Sequence, residues 1–158
     1  MNSVSFYVIA LTITLLDQIS KFYVQGTLRL GQVVPVMPFF FNLTYVLNPG
    51  AAFGFLSGAP AALRHPMFTA ISIFAVLFII YYRGRHRQMR LLPSVGLACI
   101  LGGAVGNLID RLRLGMVVDF LDFYYGAYHW PAFNVADSAI TVGVGLMIFE
   151  ILTEREKG

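Results

Sequence analysis

Two aspartates, Asp119 and Asp137, lie beside apolar runs of the sequence, where a charged side chain is costly. Asp119 precedes an aromatic-rich stretch, and Asp137 stands at the start of an apolar run. A carboxylate near the hydrocarbon of a membrane costs roughly 2.5–3.5 kcal/mol even on lenient insertion scales, so it usually persists for a function. Two carboxylates that can face each other share one proton, because both cannot ionise cheaply. The pair therefore indicates acid–base chemistry.

Each aspartate also has a structural interpretation. Asp137 could be an N-cap or a first-turn acid, which the positive end of a helix favours. Asp122 lies close to Asp119 in the sequence and could be the solvated acid of that segment. Spacing alone does not bring Asp119 and Asp137 together, but two such acids on one membrane face favour a functional pair.

Polar residues precede both aspartates. Asn107, Asp110 and Arg111 are spaced to share one helix face, and Asn134 stands three residues before Asp137. Asp110 with Arg111 predicts a structural clamp on neighbouring backbone or loop, since arginine makes rigid bidentate contacts. A buried amide such as Asn107 must find hydrogen-bond partners, and the carboxylate pair is a natural one.

Asp17 and Lys21 stand four residues apart in the first apolar segment. An acid placed one turn before a base is the favourable order for an ion pair on a helix. The main interpretation is a structural ion pair that ties the first helix to an outward loop. A catalytic lysine is the minor alternative.

Other chemistries find little support in the sequence. The histidines, residues 65, 86 and 129, follow no metal-binding spacing, and Cys99 is the single cysteine, so we expect no metal or cofactor. Ser138 lacks the glycine context of a nucleophilic serine.

The composition is that of an integral membrane protein. Of 158 residues, 58% are hydrophobic and 12% are charged, against about 25% charged in soluble domains. The net charge of +3 is partly due to one segment, residues 83–90, which holds four of the eleven Lys and Arg. No basic face suits a nucleic acid.

Four apolar segments are long enough to span a bilayer, which takes about 20 residues. They predict spans at residues 4–24, 66–82, 91–110 and 135–152. The first is expected to be a retained span rather than a cleaved signal, because no basic region or cleavage site accompanies it. The positive-inside rule places the basic segment 83–90, and with it both termini, in the cytoplasm. Residues 25–65 and 111–134 then form outward loops.

Both outward loops carry structural signals. In the first, residues 39–46 are aromatic and β-branched and predict a strand, while Pro35 and Pro38 restrict the preceding piece to an edge or turn. Aromatic rings in residues 112–131 are typical of a belt at the lipid headgroups, and a short surface helix covering the site is compatible with them. We therefore predict a mainly α membrane protein with a small outward sheet.

Five short motifs in this order resemble the bacterial lipoprotein signal peptidase, also called signal peptidase II. They are Asp17-Gln-x-x-Lys21, Asn48-x-Gly50-Ala-Ala-Phe53, Gly102-Gly-Ala-x-Gly-Asn-Leu-Ile-Asp-Arg111, Val118-Asp-Phe120 and Phe133-Asn-x-Ala-Asp137. Each motif is weak alone, but together they are specific and span nearly the whole chain.

The resemblance implies a single membrane domain over residues 1–158, with four helices, an outward β-cradle and a periplasmic surface helix. It implies an aspartyl endopeptidase of the bacterial inner membrane, which cuts prolipoproteins just before a diacylglyceryl-modified cysteine near the periplasmic face. Asp119 and Asp137 would be the catalytic pair, and the supporting residues would be Asn107, Asp110, Arg111, Asn134, Asn48, Gly50, Asp17 and Lys21. We expect a monomer without a cofactor.

Two other functions compete with a peptidase. Acids inside a membrane also mark proton-coupled transporters and channels, which predict acids spread across the membrane depth. A scaffold subunit could use Asn107, Asp110 and Asp137 only to hold helices together. A scaffold would tolerate Asp119→Asn, whereas a catalytic pair would not.

Overall fold

Four helices form the membrane-spanning part of the protein. The computed structural model describes residues 1–50, 60–86 and 88–155, and within them the helices are α1 (Ser3–Thr27), α2 (Ala61–Arg85), α3 (Leu91–Leu114) and α4 (Val135–Arg155). Each is long and apolar enough to cross a membrane. The predicted spans fall inside these helices, which extend several residues further. The predicted third span ends before α3 does, because the charged residues in the last turns of the helix lower its hydropathy. The helix continues until Gly115, which adopts a left-handed φ of 72°.

Helix α3 is the centre of the bundle and packs against each of the other three helices. Glycines allow these close approaches: a Cβ on Gly102 would lie 2.6 Å from the Ala10 carbonyl oxygen of α1, and one on Gly103 would collide with the Ala136 carbonyl of α4. Small residues at such contacts are how membrane helices approach each other without a hydrophobic driving force. The close packing brings α1 and the start of α4 against the last turns of α3.

A four-stranded antiparallel sheet lies at the same end of the bundle. Its order is β1 (Val33–Met37), β2 (Phe41–Asn48), β3 (Val117–Tyr125) and β4 (Tyr128–His129). The predicted strand at residues 39–46 is confirmed as β2, and the proline-containing piece before it is the edge strand β1, as expected. In the β2–β3 register, Val46 pairs with Asp119 and Asn48 with Val117.

Residues 112–131, whose aromatic rings are compatible with a short surface helix, contain none. After the end of α3, this segment forms β3 and β4. The β-branched and aromatic residues of Val117–Tyr125 pair along β2, which satisfies the backbone hydrogen bonds that a surface helix would otherwise satisfy internally. The described residues contain no short surface helix, and Ala51 to Phe53 of the second motif lie outside them.

Candidate active site

Asp119 lies in β3 with its carboxylate turned into the protein, and only 2% of the residue is exposed. Two side-chain amides donate to it, one to each oxygen. Asn134 Nδ2 lies 2.7 Å from Oδ1, and Asn48 Nδ2 lies 2.9 Å from Oδ2. The antiparallel pairing of β2 with β3 places Asn48 within reach, so the strand that sequence reasoning missed is also the element that positions this carboxylate.

Asp137 lies in the first turn of α4, as the simple structural interpretation predicts, but it is not the N-cap. Asn134 caps the helix, because its Oδ1 accepts the Asp137 backbone N–H at 2.9 Å. The Asp137 side chain accepts a hydrogen bond from Asn107 Nδ2 at 2.7 Å. The Asn-x-x-Asp spacing is therefore a helix cap that also points a second carboxylate at the site.

Asn134 connects the two aspartates directly. Its Oδ1 is held by the Asp137 backbone, so its amide nitrogen is turned toward Asp119 and also lies 3.1 Å from the Val118 carbonyl oxygen. The residue is fully buried. The three asparagines 48, 107 and 134, here called the amide shell, thus all donate to one of the two carboxylates.

A buried ion cluster lies beneath the amide shell. Lys21 Nζ is 2.8 Å from Asp17 Oδ2, 2.8 Å from Asp110 Oδ2 and 2.9 Å from Asn107 Oδ1. The predicted Asp17–Lys21 pair exists, but the expectation that it ties α1 to an outward loop is wrong. It ties α1 to α3 through Asp110 and to α4 through Asp17, whose Oδ1 accepts the Ala136 backbone N–H. Asp17, Lys21 and Asp110 are called the lysine cluster below.

Asp110 also holds the sheet to the bundle. Its Oδ2 accepts the Val118 backbone N–H at 3.1 Å, one residue before Asp119. This contact is the backbone clamp that the sequence predicts for Asp110. Arg111 does not share that clamp; its guanidinium donates to the Asn107 carbonyl oxygen at 3.3 Å and lies at the wall of the cavity described next.

Both aspartates line one cavity of about 920 Å³. Its polar wall also includes Asn48, Asn107 and Arg111, while rings and aliphatic side chains from β2, α2, α4 and the segment after β4 form the rest. Predominantly apolar cavities with a few convergent polar groups are typical of binding sites. Gly50 lines it as well, with φ at 96° and its N–H donating to Asn48 Oδ1 at 2.9 Å.

The electrostatics of the site bring the pKa of Asp119 close to neutral pH. Burial raises the pKa of Asp119 to about 7, and the Asp137 carboxylate adds to that rise. The amide donors Asn48 and Asn134, and the charge of Lys21, act in the opposite direction without cancelling it. A carboxyl group that exchanges its proton near pH 7 is suited to general acid–base catalysis.

Sequence reasoning misses the surroundings of two further residues near the site. Gln18 donates to Asp110 Oδ1 at 3.1 Å and to the Gly106 carbonyl oxygen at the same distance. Asp122, considered above as a solvated acid, is only 7% exposed, and its carboxylate accepts hydrogen bonds from Asn42 and His129. Gln18 stands next to Asp17 in the first motif, which is the available signal. The Asp122 contacts depend on strand pairing that the sequence does not predict.

The family model described as signal peptidase (SPase) II matches residues 9–153. Among curated proteins, the chain is 46% identical over 152 residues to a lipoprotein signal peptidase of Syntrophus aciditrophicus (strain SB), covering 96% of this chain and 94% of that protein. It is 54% identical over 144 residues to one of Burkholderia mallei (strain SAVP1), covering 91% and 85%.

Two solved structures of bacterial membrane enzymes, both obtained by the in meso method, share the fold. One, at 2.3 Å resolution, has a TM-score of 0.86 and 34% identity, covering 98% of this chain and 92% of that chain. The other, at 1.9 Å resolution, has a TM-score of 0.82 and 35% identity, covering 95% and 94%. The bundle and its sheet are therefore an architecture also found in membrane enzymes.

Proposed function

The chain belongs to the signal peptidase II family of membrane proteases, and on that premise we propose that it is an aspartic-type endopeptidase acting through Asp119 and Asp137. The single observation that carries this proposal is the cavity that both carboxylates line, with an amide donor on each. Close carboxylates that share one proton are the catalytic arrangement of aspartic proteases. The resemblance of the motifs and the names of the relatives support the same assignment.

Hydrolysis by this pair needs only water. The ionised carboxylate takes a proton from a water molecule whose oxygen bonds to the scissile carbonyl carbon, while the protonated carboxyl gives its proton to the carbonyl oxygen. When the tetrahedral intermediate collapses, the C–N bond breaks, the amine leaves with the proton that the base had taken, and a hydroxyl group of the intermediate returns its proton to the other carboxylate. The pair is then back in its starting state, with one carboxyl protonated and the other ionised.

We propose a prolipoprotein as substrate, cut just before a cysteine that carries diacylglycerol. The largely apolar cavity lies at one end of the bundle, where a lipid chain can stay in the bilayer while the scissile bond reaches the carboxylates. Arg85 and Arg90, on α2 and at the start of α3, lie at the opposite end of those helices. The positive-inside rule then supports cytoplasmic termini and a cavity near the periplasmic face of a bacterial inner membrane.

The deciding experiment is cleavage of a diacylglyceryl-modified prolipoprotein, followed by gel shift, with wild type, Asp119→Asn and Asp137→Asn. The matched control is Asp122→Asn, which changes a buried aspartate of the same strand that does not line the cavity. We expect both site variants to fold and to lose at least about 10³-fold in rate, in the range of general acid–base effects, while the control keeps its rate.

Substantial cleavage by either folded site variant would show that the pair is not catalytic. If the wild type processes no prolipoprotein under conditions in which a relative does, the substrate assignment fails. Proton-coupled transport by reconstituted protein, abolished by the same substitutions, would instead favour the transporter interpretation.

A further inference from the structure

Lys21 makes one contact that an ion pair with two carboxylates does not require. Besides Asp17 and Asp110, its ammonium group donates to Asn107 Oδ1 at 2.9 Å. All three of its N–H bonds thus have acceptors, and only 2% of the side chain is exposed. The third contact connects the lysine cluster to the amide shell, and through it to the proposed catalytic pair.

The Lys21 contact determines which way the Asn107 amide points. A lysine ammonium group can only donate, so the amide oxygen must face Lys21 and the amide nitrogen must face the other way. That nitrogen lies 2.7 Å from Asp137 Oδ1. The second donor on the Asn107 oxygen, Asn134 Nδ2 at 3.3 Å, requires the same orientation. A donor fixed at this distance bonds most strongly to an ionised carboxylate.

Two further features of Asp137 favour its charged form. It stands in the first turn of α4, where the positive end of the helix dipole stabilises a negative charge. Its Oδ2 makes no hydrogen bond to any group in residues 1–50, 60–86 and 88–155, although the residue lines the cavity. That oxygen can therefore accept a proton from water.

Asp119 differs from Asp137 in both respects. It does not stand at a helix terminus, and each of its oxygens accepts a hydrogen bond. It lies in a strand, and amides occupy both of its oxygens. Burial nevertheless raises its pKa to about 7. The charged groups around the pair are Lys21 and Asp17 on α1 and Asp110 and Arg111 on α3; of these, the charge of Lys21 favours the ionised form of Asp119.

We propose that Lys21 is a positioning residue which, through Asn107, makes Asp137 the ionised member of the pair, so that Asp137 is the base and Asp119 the acid. The inference rests on the proposed function for its mechanistic meaning. In the first step the water proton goes to Asp137 Oδ2, and the Asp119 proton goes to the scissile carbonyl oxygen. Charge and protons balance within the pair, and no other reactant is needed.

The protonation assignment can be tested without turnover. The infrared C=O stretch of a protonated carboxyl, recorded as a difference between about pH 6 and about pH 8.5, isolates groups that titrate near neutrality. The full chain in detergent micelles is used as wild type, Asp119→Asn, Asp137→Asn and the control Asp122→Asn. We expect the band in the wild type, in the control and in Asp137→Asn, since burial is the main cause of the Asp119 shift. It disappears in Asp119→Asn. A band that survives in Asp119→Asn, or that is lost in Asp137→Asn, overturns the assignment.

The role of Lys21 is tested by pH profiles of kcat/KM. In Lys21→Met the Asn107 oxygen keeps only the longer contact to Asn134, so its amide is held less firmly, and we expect a loss of about tenfold or more in kcat/KM and an acid limb at higher pH. Lys21→Arg keeps the charge, so it should restore part of kcat/KM and part of the original position of the acid limb. Thr14→Val, which removes another α1–α3 hydrogen bond to the Gly102 carbonyl, is the control and should change neither.

An unchanged acid limb in folded Lys21→Met shows that Lys21 is only structural and overturns its positioning role. If that variant does not fold, the infrared band of Lys21→Arg decides, since positioning predicts a shifted titration midpoint and a structural role does not. Failure of the proposed function has a different signature, because the wild type would then not cleave prolipoprotein whatever the infrared result.

Discussion

Two groups of buried aspartates lie side by side in this protein and have opposite surroundings. Asp17 and Asp110 contact the ammonium group of Lys21 at 2.8 Å. Asp119 and Asp137 have no cation within ion-pair distance among the described residues, and amides are their side-chain donors. A cation holds a carboxylate in its charged form more strongly than a neutral amide does. Charge pairing thus distinguishes the two groups of aspartates.

The largest loss of stability should follow from a substitution in the charge-paired group, Asp17 and Asp110. Asp110→Ala removes the acceptor of Lys21, Gln18 and the Val118 N–H together. Removal of one partner from a buried ion pair costs roughly 3–5 kcal/mol. We expect a large fall in the melting temperature in detergent, measured by circular dichroism, together with loss of cleavage. Asp122→Ala is the control and should fall much less. Equal losses in the two variants would mean that the lysine cluster contributes no special stability.

Removing the charge of Asp119 from the amide-held group, Asp119 and Asp137, should instead stabilise the protein above neutral pH. The pKa of Asp119 is about 7 when folded and about 3.9 when unfolded, so its contribution to stability is complete below about pH 4 and is lost as the pH rises to about 7. Asn carries no such penalty. Asp119→Asn should therefore raise the melting temperature at about pH 8 and leave it nearly unchanged at about pH 4. A lower melting temperature at about pH 8 would contradict the difference between the two groups.

Much of this arrangement could be predicted from the sequence. The four spans follow from hydropathy, and the Asp17–Lys21 pair follows from helical spacing. The Asn107 contact to one carboxylate of the proposed pair follows because a buried amide must find partners. These predictions depend on local periodicity or on a single strong physical cost, so they do not require knowledge of which elements pack together.

The parts that could not be predicted depend on contacts between distant segments. Taken alone, the aromatic residues of β3 indicate a headgroup belt. Their pairing with β2 is not visible in the sequence, because it joins residues 69 to 82 positions apart. The burial of Asp122 escapes prediction for the same reason, since its partner Asn42 lies on β2. The lysine cluster links α1, α3 and α4, which no single segment reveals.

A smaller effect is expected at Gly50, which contacts the amide-held group through Asn48 and makes no contact with the lysine cluster. Its left-handed φ of 96° is strained for any other residue, and a Cβ there would collide with the Phe68 ring. Gly50→Ala should displace the N–H that orients Asn48 toward Asp119. We expect about a tenfold loss of kcat, or about 1.4 kcal/mol, and a fall in melting temperature smaller than that of Asp110→Ala. Gly26→Ala, at a position with open space, is the control. A large loss of stability without loss of kcat would assign Gly50 to the fold instead.

The smallest effect should come from His129, an exposed residue of β4. Asp122 accepts a hydrogen bond from His129 at 2.8 Å, but half of the histidine side chain is exposed. Pairs with an exposed partner contribute about 0–1 kcal/mol, because water competes for the exposed histidine. His129→Gln should therefore change the cleavage rate less than about twofold, within that energy range. This substitution tests whether the contacts of Asp122 matter for cleavage as those of Asp119, on the same strand, are expected to. Asp119 faces the cavity and Asp122 does not, so a loss of tenfold or more in His129→Gln would show that the β3–β4 hairpin also positions the proposed catalytic pair.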